Sequence, residues 1–172
     1  MNHLCIGSAN FGQTYGIKNT SDISSKDIEK IITSCFDNKV YYIDTAPTYG
    51  EAQSQIGDIL TKYSLNNKAK CISKIDHTIN LDNTNLIKSS IQSSLNELQI
   101  DSLWALLLHR TPEQISNKFI DLITYLKKEN YIENFGISIY DPSDALFFAN
   151  TDFIDIIQVV CLLHIYIYIY IY

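Results

Sequence analysis

Short apolar runs and amphipathic stretches alternate along the chain. Runs rich in aliphatic and aromatic residues fall at Leu4–Ile6, Val40–Asp44, Ala69–Ser73, Leu103–Leu108, Asn134–Ile139 and Asp155–Val160. Each is bounded by polar or turn residues and predicts a strand. Between them, apolar positions recur at helical spacing. Ile28, Ile31, Ile32 and Cys35 predict a helix over Ser25–Phe36, with Ser24 as its N-cap. Ile56, Ile59 and Leu60 predict one over Glu51–Leu60, and Ile87, Ile91, Leu95 and Leu98 one over Asn85–Leu98. Ile115, Phe119, Ile123 and Leu126 predict a helix over Glu113–Lys128 that starts just after Pro112. Lys127 and Lys128 complement its dipole, and Asn130 suits a left-handed cap. A last short helix is predicted over Pro142–Ala149.

The order is therefore β-α six times, less the final helix. Apolar runs without clean polar alternation suit strands buried on both faces, joined in parallel through right-handed crossovers. Two α/β architectures fit this order: an open doubly wound sheet, or part of a (β/α)8 barrel of the TIM type. Six units in 172 residues average about 29 residues each, the repeat of a barrel of about 250 residues. As a barrel the chain is expected to be incomplete, with the last two units missing. Its boundaries are expected at 1–160, with a separate low-complexity tail at 161–172. Ile-Tyr repeats there from Ile165 to Tyr172, after His164. Read in one frame, an (AT)n tract encodes that alternation, so the tail is expected to be translated simple-sequence DNA; the alternative is a terminal strand. Its high β-propensity and lack of charge make it an aggregation hazard where exposed.

Composition narrows the function classes. A hydrophobic content of 46% supplies a core and argues against global disorder. Thirteen basic residues against nineteen acidic ones give a net charge of −6, with no Lys/Arg cluster. That balance argues against nucleic acid and anionic membrane as partners. No apolar run of about 18 residues precedes the C-terminus, and the opening Met1-Asn-His-Leu-Cys5 lacks a signal-peptide pattern. A cytoplasmic, reducing setting is expected. Cys5, Cys35, Cys71 and Cys161 form no CxxC pair and show no zinc-type spacing, so reduced structural thiols and no metal site are expected.

Two segments invite a chemical reading. Gly7-Ser-Ala-Asn-Phe-Gly12-Gln13-Thr14 has the spacing of a phosphate-binding loop, but Gln13 stands where the lysine that grips the phosphates is required. A GxGxxG fingerprint is also missing, so neither nucleotide-loop reading stands. The second segment is Ile43-Asp44-Thr45-Ala46-Pro47-Thr48-Tyr49-Gly50. Asp44 ends a predicted strand, and Tyr49 follows in a Pro/Gly-containing loop. Lys74 and His109 end the next two strands. In a parallel barrel these ends share one face, the face that carries active sites. A Lys ammonium beside a phenol favours the phenolate and eases proton transfer near neutrality. A carboxylate balances the lysine, and an imidazole can orient a carbonyl oxygen. The set can polarise and protonate a carbonyl; a hydride must come from a cofactor. His77 and His3 are expected to be surface residues, Trp104 a core residue, and Tyr41-Tyr42 a packing pair.

Asp44-Thr-Ala-Pro-Thr-Tyr-Gly-Glu-Ala-Gln-Ser-Gln-Ile-Gly57 resembles the signature of the aldo-keto reductases. The Lys74 and His109 strand ends resemble the other two members of that family's catalytic tetrad. Ser90–Leu98, Asn134-Phe-Gly-Ile-Ser138 and Ile156-Ile-Gln158-Val are similar as well, so the resemblance covers roughly residues 4 to 159. It implies a (β/α)8 barrel that uses NADPH or NADH to reduce an aldehyde or ketone to an alcohol. Tyr49 would then be the proton donor, Asp44 and Lys74 would tune it, and His109 would orient the substrate carbonyl. Ser138 and Gln158 would contact the nicotinamide carboxamide; Ile139 stands where the family often has Asn. The opening Ile6-Gly-Ser-Ala-Asn-Phe-Gly12-Gln-Thr-Tyr-Gly16 resembles members encoded with sugar-nucleotide and surface-polysaccharide genes, which points to a sugar-related small-molecule substrate. After Val159 the family pattern ends. The resemblance therefore implies a C-terminally truncated member with weakened or lost cofactor grip, or alternatively a non-catalytic remnant.

Overall fold

The structure is a computed structural model that describes residues 4–13 and 23–159. His3, Thr14, Tyr15, Gly16, Cys161 and the Ile-Tyr tail lie outside the described residues. Six strands and five helices alternate: β1 (Cys5–Gly7), α1 (Ser25–Asp37), β2 (Tyr42–Asp44), α2 (Ala52–Lys62), β3 (Lys70–Ile75), α3 (Thr84–Leu98), β4 (Leu103–Leu108), α4 (Asn117–Lys128), β5 (Ile132–Ile139), α5 (Pro142–Phe148) and β6 (Ile156–Val159).

All strand pairs are parallel, and their order in the sheet is β1-β2-β3-β4-β5-β6. A doubly wound sheet reverses its strand order at a switch point; this one does not. The sheet also curls. The Gln158 side chain of β6 donates to Oδ2 of Asp44 in β2 at 3.1 Å. Strands four places apart in a flat sheet would lie about 19 Å from each other. The chain is thus a curled, incomplete (β/α)8 barrel, and the open-sheet alternative is excluded.

The helices form because each buries one apolar stripe against the outer face of the sheet. Ile28, Ile32 and Phe36 of α1, Ile56 and Leu60 of α2, Ile87, Ile91, Leu95 and Leu98 of α3, and Phe119, Ile123 and Leu126 of α4 all join one core. They meet Ile43, Cys71, Leu106, Phe135 and Ile137 from the strands. Phe119 and Phe135 are fully buried and pack edge-on, with ring centroids 5.7 Å apart. Burial of one such side chain is worth about 1.5–3 kcal/mol. The Tyr41-Tyr42 pair does pack, Tyr41 edge-on to Phe36 and Tyr42 edge-on to Trp104, but Trp104, expected in the core, is only half-buried because it points away from the main core on β4.

Ser24 caps α1, accepting the Asp27 N–H, and Asn130 adopts a left-handed conformation after α4. Most boundaries fall within two residues of the sequence expectation, and one differs by more. The fourth helix begins at Asn117, because the Ser116 side chain accepts the Phe119 N–H and caps it there. Residues 113–115 instead belong to the β4–α4 loop, where they line a cleft.

Candidate active site

The C-terminal ends of the strands place the four predicted residues together. Asp44 is the last residue of β2, Lys74 lies one residue from the end of β3, and His109 directly follows β4. Tyr49 sits in the β2–α2 loop, where Gly50 takes a positive φ of 59°. That turn is packed against the β1–α1 loop so closely that a side chain at Gly12 would strike the Tyr49 carbonyl. Gly12 therefore serves close backbone approach to the tyrosine loop, which is the physical reason for a glycine there. The same loop is tied to β2 from Ser8, whose N–H and Oγ both donate to the Asp44 carbonyl, at 3.0 and 2.9 Å.

Lys74 is the hub. Its side chain is 2% exposed, which would be costly without partners. Its ammonium forms an ion pair with Oδ1 of Asp44 and donates to the Thr45 carbonyl at 3.2 Å and to the Tyr49 hydroxyl at 3.3 Å. Lys74 pairs with Asp44 on the neighbouring strand and makes no ion pair with Asp76, two residues along the chain. The His109 ring stands edge-on to Tyr49, with centroids 6.0 Å apart. Its Nδ1 is buried and has no hydrogen-bond partner among the described residues. Burial holds the His109 imidazole below its ordinary range, and the nearby charges of Lys74 and His77 act in the same direction.

Ser138 and Gln158 come from the other side of the curl. They are directly paired in register at the ends of β5 and β6. Ser138 is 4% exposed. Gln158 reaches further into the tetrad than sequence spacing could show, because its amide N–H holds the second carboxylate oxygen of Asp44. Asp44 is thus shared between Lys74 on one oxygen and Gln158 on the other.

Two supporting residues escaped the sequence reading. Gln53, 1% exposed, donates to the Ser73 hydroxyl at 2.8 Å and pins α2 to β3 beside Lys74. A polar residue on the inner stripe of the α2 helix was the available signal. His77 is exposed, as expected, and it also places its ring 6.2 Å from that of His109. No periodicity marks it, since it lies in a loop. A cleft of about 440 Å³ opens beside His109, between the β3–α3 and β4–α4 loops. Asp76, His77, Asp82, Arg110 and Glu113 are among its lining residues.

Among the described residues, no group of three or more His, Cys, Asp or Glu is arranged to hold a metal ion. No helix among them is long and apolar enough to cross a membrane.

Six parallel strands alternating with helices and curled into an incomplete β/α barrel define the class of fold. The chain matches the aldo/keto reductase family over residues 3–166 and belongs to it. No curated protein matches it significantly. Solved structures that share the fold include an aldo-keto reductase from Bacillus halodurans in its holo form, with a TM-score of 0.72 and 20% identity over 91% of this chain and 52% of that one. A thermostable aldo-keto reductase in complex with the inhibitor epalrestat gives a TM-score of 0.71 and 20% identity, over 92% of this chain and 58% of that one. An aldo/keto reductase from Klebsiella pneumoniae in complex with NADP and acetate gives 0.64 and 19%, over 86% of this chain and 49% of that one. The chain therefore spans about half to three-fifths of the length of these structures.

Proposed function

We propose that this chain carries the catalytic half of an NAD(P)H-dependent carbonyl reductase, acting on an aldehyde or ketone with Tyr49 as the proton donor. The observation that carries the reading is the placement of the Lys74 ammonium between the Asp44 carboxylate and the Tyr49 hydroxyl, at a strand-end rim shared with His109.

A carbonyl oxygen seated between Tyr49 and His109 accepts a hydrogen bond from each side chain. His109 stays neutral near physiological pH, so it orients the oxygen by donation and leaves the proton transfer to Tyr49. As negative charge grows on that oxygen, the Tyr49 proton moves onto it. The Lys74 ammonium stabilises the phenolate that remains, and Asp44 balances Lys74 when the phenol is neutral. The nicotinamide, when bound, supplies the hydride that goes to the carbonyl carbon. Ser138 and Gln158 fit its carboxamide: a hydroxyl that can donate to the carbonyl and an amide oxygen that can accept from the NH₂ stand side by side in register. In the described structure the Gln158 N–H is engaged by Asp44.

The polar cleft beside His109 supports a hydroxylated, sugar-related substrate over an apolar one. The three described cysteines are free thiols, in keeping with a reducing, cytoplasmic setting.

Titration of NADPH fluorescence with the chain, followed by turnover on a panel of aldoses and simple aldehydes, tests the reading. Binding with turnover is expected. Tyr49→Phe should then lower kcat by about a thousandfold and leave the NADPH Kd unchanged. Retained turnover would remove Tyr49 from its role. Absence of cofactor binding would favour the non-catalytic alternative.

A further inference from the structure

We propose that His77 is a positioning residue for His109: its ring stands edge-on to the His109 imidazole at the mouth of the loop cleft and governs how readily that imidazole takes a proton. The inference rests on the reading of His109 as the carbonyl-orienting group.

A histidine that must present one nitrogen to a substrate is usually fixed by a hydrogen bond on the other. His109 lacks that anchor, since its buried Nδ1 has no partner among the described residues. What it has instead is two ring contacts. Tyr49 stands at 6.0 Å and 82°, and His77 at 6.2 Å and 88°. The imidazole meets two rings nearly perpendicular to its own, one from the β2–α2 loop and one from the β3–α3 loop.

His77 is itself tethered. Its Nδ1 lies 3.4 Å from Oδ1 of Asp76. The same Asp76 oxygen accepts from the Thr78 N–H at 2.9 Å and the Thr78 hydroxyl at 3.0 Å. This turn sets the place of His77 on an otherwise open loop, so the ring contact is built by the backbone.

The charges that face His109 come from every element around it. Lys74 approaches from β3, His77 and Asp76 from the β3–α3 loop, and Arg110 adjoins it in its own loop. The Tyr49 phenol faces it from the β2–α2 loop, and Asp82 and Glu113 line the same cleft. Lys74, His77 and Arg110 oppose a proton on His109, and Asp76 favours one. Of these, His77 alone has a ring in edge-on contact with that of His109, and Asp76 both tethers His77 and favours the proton on His109.

The test follows the histidine C2 protons by NMR from about pH 5 to about pH 8. The His109 signal is assigned by its loss in His109→Asn. In His77→Gln the His109 titration midpoint should rise by about half a unit, the effect of one like charge removed from about 6 Å in a wet setting. In Asp76→Asn, which keeps an oxygen for the Thr78 turn, the midpoint should fall. Opposite signs cannot arise from general loosening of the loop, and amide spectra verify that both variants fold. A midpoint unmoved in both variants, or moved the same way in both, overturns the proposal. The carbonyl-reductase reading fails on a different observation, the absence of NADPH binding and turnover in the unaltered chain.

Discussion

The two sides of the curled sheet solve the same positioning problem differently. On β2, β3 and β4 the candidate groups are ionisable, and two of them are tied more than once: Lys74 to Asp44, Thr45 and Tyr49, and Asp44 to Lys74 and Gln158. On β5 and β6 they are a neutral hydroxyl and a neutral amide. The surroundings of β3 and β4 differ from those of β6, while β5, which carries Ser138, is flanked and buried like β3 and β4. β3 and β4 have a hydrogen-bonded strand on either side and are almost wholly buried. β6 pairs only with β5 in the described residues and is half-buried, and the neighbouring α5 leaves Leu146 and Phe147 exposed at 75% and 69%. A charge needs enclosure and a matched partner to be both tolerated and useful, because low dielectric magnifies the penalty and the effect together. A neutral amide needs only one good hydrogen bond, so it can stand on a less enclosed strand.

The largest break in that comparison should come from Lys74→Met. It leaves the Asp44 carboxylate in a site that is only 19% exposed, without its cation. Urea unfolding should show a loss of about 3 kcal/mol or more. A loss below about 1 kcal/mol would mean that solvent and Gln158 compensate the charge, and the two sides would no longer differ.

Gln158→Leu should act on the same carboxylate from the tolerant side. It removes a single hydrogen bond to a charged group, and the expected cost by urea unfolding is about 1–2 kcal/mol. If it matched Lys74→Met, β6 would have to be counted with the enclosed side.

The smallest effect expected is in the pH dependence of stability. His109 is held below the ordinary imidazole value in the folded chain, so there it binds fewer protons than the unfolded chain does as pH falls. The stability contributed by neutral His109 is present above about pH 6.5 and is lost as pH drops through the lower folded-state value. His109→Asn should flatten that part of the profile, measured as Tm against pH. An unchanged slope would assign the acid sensitivity to other groups.

Most of the fold was legible because it rests on local patterns. The apolar runs of Leu103–Leu108 and the stripe of Ile87, Ile91, Leu95 and Leu98 announce a buried strand and an amphipathic helix without reference to anything distant. The start of α4 was misplaced because Pro112 is a strong local signal, whereas the cap that operates is Ser116. That Asp44, Lys74 and His109 meet at one rim was legible for a related reason: each sits at the close of an apolar run, and parallel topology brings such closures together. His77 and Gln53 were not, because a loop residue and a buried glutamine carry no periodic mark of what they touch.

The residues alone determined the β-α order, the parallel pairing and the identity of the four groups at the strand ends. These follow from periodicity and from the chirality of crossovers, both of which act over a few tens of residues. Only the tertiary structure decided between an open and a curled sheet, turned Lys74 towards Asp44 instead of Asp76, and set Gln158 on a carboxylate 114 positions away. Those outcomes depend on the summed twist of six strands and on which buried charges can find partners, and neither quantity is written at any single position.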